Sequence, residues 1–144
     1  MILTEIYPAL RGACMAYVFK WEVPDRVGYF DLGEVYSLED ANHLKVQMLE
    51  MLEHSTLPLH IMFDISTLKH FPMRMNADIW AMAEWMRHPK LGWLIVISKT
   101  TNPMANFMVS AVGKAVGVKT RFVKLREEAL ESLIRMDLSL SALN

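Results

Sequence analysis

The sequence predicts a single α/β domain, a mixed sheet of about five strands flanked by about four helices. Three observations lead there. Short apolar runs of strand length alternate with longer stretches of helical period, the pattern that parallel strands joined by crossover helices require. The 144 residues are 53% apolar and 22% charged with 6 Gly and 6 Pro, an ordinary globular composition too short for two good cores. No repeat, low-complexity tract or Gly/Ser linker divides the chain, so residues 1–144 read as one unit.

The elements follow in order. Ile2–Ala9 and Ala13–Val23 are rich in β-branched and aromatic residues on either side of Arg11-Gly12, which suggests a hairpin. Pro24 and Asp25 interrupt that pattern, and Val27–Val35 is either a third strand or an extended connection. Ser37 stands in a helix-capping position with Asp40 three residues on. Ala41, Leu44, Met48 and Leu52 then form one apolar stripe facing a sheet, and His54-Ser55-Thr56 ends the helix. Pro58 leads into LHIMFDI, apolar enough for a buried central strand, and LGWLIVIS and RFVKL are two further strands. Helical stretches span Met75–Arg87 and Pro103–Val116, the second with Asn102 as cap, Pro103 at its first position and Gly117 as stop. REEALESLIRM closes the chain as a last helix.

Composition also bounds function. A domain of this size needs no disulfide or metal for its core, and the single Cys14 cannot build a disulfide framework, so a reducing compartment is the default. Apolar runs such as Leu91–Ile97 are far short of the ~20 residues that span a bilayer. The N-terminus carries Glu5 and no basic leader, so a cytoplasmic protein without stable membrane insertion is expected. Net charge is −1, which gives no bulk attraction to nucleic acid. The charge is nevertheless split: residues 1–64 hold 4 Lys/Arg against 10 Asp/Glu, and residues 65–144 hold 11 against 6. Lys119, Arg121, Lys124 and Arg126 end a basic stretch that reads as a solvated face or as a site for an anionic partner.

Three segments, LHIMFDISTLKHF, HPKLGWLIVIS and RFVKLREEALESL, carry a resemblance. Together with the element order they resemble the STAS-like family that includes bacterial anti-sigma-factor antagonists, and within it the branch similar to CRAL-TRIO lipid-exchange domains. The likeness covers about residues 14–138. In the antagonists a phosphorylatable serine opens the helix after the Asp-containing strand. The resemblance maps that strand end onto Asp64, Ile65 and Ser66, but the helix opening reads Phe71-Pro72-Met73-Arg74-Met75, without the phosphoacceptor. A phospho-switch of the family's kind is therefore not expected, and Arg74 near that helix N-terminus would favour an anion.

Catalytic signatures are missing from the sequence. His43, His54, His60, His70 and His88 have no ligand spacing, and the glycines never cluster into a phosphate loop, so no metal or cofactor is expected. In open α/β sheets ligands bind beyond the carboxyl ends of the strands, near a reversal in strand order. Two such ends carry Asp64, Ser66 and Thr67, and Lys99, Thr100 and Asn102; with Arg74 they make a candidate anion or ligand site. The alternative is that Asp64, Ser66 and Asn102 cap helices and turns. On a helical wheel Trp80 and Trp85 flank the apolar arc of Met75, Ile79, Met82, Ala83 and Met86, so Met73, Trp80 and Trp85 are interface candidates. These readings combine into a non-enzymatic interaction or regulatory domain, its partner another protein or itself as a homodimer. The alternative is a carrier of a small lipophilic ligand with transient membrane contact.

Overall fold

A computed structural model describes residues 17–69, 84–98, 114 and 117–143. Its sheet starts with a hairpin in which β1 (Val18–Val23) runs antiparallel to β2 (Val27–Asp31). Local chemistry sets the connection. Pro24 fixes φ at the second position of the turn, Asp25 takes the left-handed conformation at the third (φ 61°), and the Arg26 N–H closes onto the Val23 carbonyl at 3.0 Å. The Pro-Asp pair that the sequence reading took as an interruption is thus the turn itself, and residues 27–31 of the undecided stretch are strand. The hairpin expected about Arg11-Gly12, with Ile2–Ala9, lies outside the described residues.

Helix α1 (Leu38–His54) begins where its cap was expected. The Asp40 N–H donates to the Ser37 hydroxyl oxygen at 3.0 Å, and the Asp40 carboxylate accepts the Ser37 backbone N–H at 3.0 Å, a reciprocal capping box. Ala41, Leu44, Met48 and Leu52 are all buried on its inner face. Because the cap satisfies two otherwise orphaned donors, Ser37→Ala is expected to cost about 1 kcal/mol, read as a lower urea midpoint with an unchanged slope.

Strands β3 (Leu59–Asp64), β4 (Leu91–Ile97) and β5 (Lys119–Val123) complete a mixed sheet in the order β1-β2-β3-β4-β5, parallel from β2 onward. Among the described residues each strand joins beside the one before it, without a reversal in strand order. Helix α2 (Arg126–Met136) follows β5 and lies on the face that α1 leaves bare.

Alternation along the strands builds two cores. Phe30, Ile61, Phe63, Leu94 and Val96 pack against Leu44, Met48 and Leu52 of α1. Val27, Tyr29, Met62, Ile95, Ile97 and Val123 pack against Ala129 and Leu133 of α2 and against Leu140 beyond it. The last of these belongs to a short 3-10 segment, Leu138–Leu143, and a second such turn covers Glu84–Arg87. Of the four helices expected, two are described. The stretch Met75–Arg87 lies outside the described residues except for its 3-10 end, and Pro103–Val116 lies outside except for Lys114, which is helical. Among the described residues, no helix is long and apolar enough to cross a membrane.

Candidate functional site

At the carboxyl ends of the strands, β2 and β3 finish in register on Asp31 and Asp64. Each carboxylate turns back on its own chain. Asp31 Oδ1 accepts the Gly33 N–H at 2.9 Å, and Asp64 Oδ1 accepts the Ser66 N–H at 3.0 Å and its hydroxyl at 2.5 Å. These are Asx turns, which end strands by giving the backbone a side-chain acceptor. The other oxygen of Asp64 accepts the Tyr29 hydroxyl at 2.6 Å, and burial, reinforced by that bond, raises the Tyr29 pKa well above the ordinary phenol range. The capping alternative therefore describes Asp64 and Ser66. Thr67 sits exposed in the turn that follows β3. The cations and amide expected to complete the site, Arg74, Lys99, Thr100 and Asn102, lie outside the described residues.

The opposite end of the sheet holds a polar constellation that the sequence reading missed. His60, second residue of β3, points to the α2 side and is 4% exposed. Its Nε2 donates to Asp137 Oδ2 at 2.9 Å, and its Nδ1 accepts the Trp93 backbone N–H at 2.9 Å. An imidazole with one nitrogen accepting an N–H and the other facing a carboxylate is the neutral Nε2–H tautomer. Burial lowers its pKa, and Arg26 and Lys119 lower it further against the opposing pull of Asp137. The same Asp137 oxygen accepts Arg26 Nη2 at 2.9 Å, while Oδ1 accepts the Ser139 N–H and hydroxyl at 3.1 and 2.6 Å. Ser139 and His60 hold the Asp137 carboxyl down at a pKa of about 2.

Backbone geometry makes room for this ring. Leu59 pairs with Leu91 but Ile61 pairs with Leu94, so Gly92 and Trp93 together face His60 across a bulge. A Cβ on Gly92 would stand 2.5 Å from His60 Nδ1, which leaves glycine as the residue that fits. The bulge turns the Trp93 N–H onto a side chain rather than onto the ladder.

Of the interface candidates, only Trp85 is described. It is 4% exposed and meets Phe63 edge-on, ring centroids 5.6 Å apart, so it is a core residue with little surface for a partner to touch. Met73 and Trp80 lie outside the described residues. The basic stretch is dispersed by its surroundings: Lys119 lies 5.8 Å from the Trp93 ring centroid, and the Arg126 guanidinium lies 4.3 Å from that of Tyr29 while pairing with Glu22. Arg121 and Lys124 remain exposed on or beside β5, an edge strand of the described sheet, where cations discourage pairing with another chain's edge. Among the described residues no three His, Cys, Asp or Glu side chains group to hold a metal.

No family model matches the chain, and no curated protein or solved structure matches it either.

Proposed function

We propose that this chain is a non-enzymatic, self-associating interaction domain of STAS-like type. The observation that carries the reading is the engagement of the polar groups at both ends of the sheet. Both oxygens of Asp64, both ring nitrogens of His60 and both oxygens of Asp137 are held by the chain's own donors and acceptors. A general base needs a free lone pair within reach of a substrate proton. Here those lone pairs hold strands and turns.

Charge supports association between copies. Glu39, Glu50 and Glu53 lie along α1, whereas Lys119, Arg121 and Lys124 lie on or beside β5. Opposite charges on different elements of one chain give two copies complementary surfaces, and electrostatic complementarity of this kind speeds encounter and fixes register.

One observation favours the second reading, a carrier of a small lipophilic ligand. Gln47 is fully buried, and its Oε1 accepts the Tyr17 hydroxyl at 2.8 Å, yet among the described residues its Nε2 has no partner. Nor has the buried Nδ1 of His43, one helical turn away. Unpaired buried polar groups of this kind suit the polar end of an apolar guest. Native mass spectrometry after gentle purification separates the two readings. A dimer of bare chains is the expected result; a monomer carrying a stoichiometric lipid-like mass would favour the carrier.

A further inference from the structure

The chain after α2 is joined to the sheet mainly through Asp137. That residue ends the helix, its N–H donating to the Leu133 carbonyl at 2.8 Å, and its carbonyl accepts the Leu140 N–H at 3.1 Å. Its side chain collects His60, Arg26 and Ser139, with Ser139 also accepting from Arg26 at 3.1 Å. Beyond these bonds, the fully buried Leu140 anchors the segment in the core on the α2 face. Asp137, Ser139 and Leu140 are thus anchors of Leu138–Leu143 across the amino end of the sheet.

We propose that Leu138–Leu143 is a strap that opens as a unit separately from the sheet, and that protonation of the His60 ring opens it. The reason is geometric. The only ring nitrogen free to take a proton, Nδ1, already accepts the Trp93 N–H, so a proton there sets two donors face to face. The ring already fills the space a side chain at Gly92 would take, an added Cβ falling 2.5 Å from Nδ1, so it is closely seated against β4. Turning it away carries Nε2 off Asp137. The charged groups facing the ring come from three elements: Asp137 at the end of α2, Arg26 from the β1–β2 turn and Lys119 from β5. With Arg26 already neutralising Asp137, a second cation on the same carboxylate gains less than it would beside a free one. β4 contributes backbone from Gly92 and Trp93 to this contact.

Hydrogen exchange on the full chain tests the strap, with the Leu140 and Trp93 amides as reporters and Ile61 and Met62 in β3 as references. A histidine that stays neutral in the closed form and titrates at its ordinary value of about 6.5 in the open form gains roughly tenfold in opening between pH 7.5 and 5.5. After correction for intrinsic exchange, Leu140 and Trp93 should lose about that much protection together, while the β3 amides hold. His60→Gln, with no titrating ring, should abolish the pH dependence. Should that variant fail to fold, the ring ¹⁵N signals of the wild type report protonation at Nδ1 directly. Two results overturn the proposal: Nδ1 protonating while Leu140 keeps its protection, or Leu140 and the β3 amides exchanging with one common free energy at every pH.

Discussion

Replacing Trp85 with alanine is expected to destabilise the fold by about 3–5 kcal/mol, the cost of emptying a large aromatic site in a packed core. Trp85 closes the first core at its contact with Phe63, which in turn stacks on Phe30 with centroids 5.6 Å apart. The loss should appear as a lower denaturation midpoint. Trp85→Phe keeps a ring edge-on to Phe63 and should lose less, so the pair separates ring packing from bulk. Neither change should alter the association of chains that remain folded, because Trp85 offers so little surface. A Trp85→Phe protein as stable as the wild type but monomeric where the wild type is dimeric would return Trp85 to the interface.

Asp137→Ala should cost about 3 kcal/mol, near the lower end for breaking a buried charge pair because the Asp137 side chain keeps 23% of its surface exposed. The penalty comes from what stays behind: an Arg26 side chain, 8% exposed, that keeps the Ser139 hydroxyl and the Pro58 carbonyl but loses its counter-charge, and the His60 Nε2–H without its acceptor. Equilibrium unfolding in urea measures it. The two titrations at this site act in the same direction. His60 has a folded pKa below its ordinary 6.5, so the folded state binds fewer protons and its contribution is present above pH 6.5 and lost as pH falls below that value. Asp137, lowered from 3.8 to about 2, contributes above pH 3.8 and loses that contribution as pH falls towards 2. Stability should therefore decline in two stages on acidification, the upper one missing from His60→Gln and the lower one missing from Asp137→Asn.

What could be read from the sequence was what is local. Ser37 and Asp40 declare the start of α1 within four residues, and the run from Leu59 to Asp64 is apolar enough to be central whatever surrounds it. Arg126–Met136 was legible for the same reason, bounded by a strand before it and Asp137 after it. The Pro24-Asp25 turn was missed because Asp25 adopts a left-handed conformation more usual for glycine. Trp85 was misplaced because the wheel assumed 3.6 residues per turn up to Arg87, whereas Glu84–Arg87 is wound as a 3-10 turn at about three. The amino-end network was hidden by distance in the chain, since Arg26 and Asp137 are 111 residues apart. Two signals pointed to it nonetheless. A histidine inside a buried strand must find partners, and a glycine inside the neighbouring strand marks a bulge or a close approach. Neither signal says where the partner lies, because that depends on α2 crossing the sheet and ending over its amino edge.

Sedimentation equilibrium over a range of concentration and salt tests the proposed role most directly. A dimer at micromolar concentration in low salt is predicted, weakening as salt screens the charges of α1 and β5 over a Debye length of ~8 Å at physiological ionic strength. A chain that remains monomeric at high micromolar concentration in low salt would contradict self-association and the function built on it.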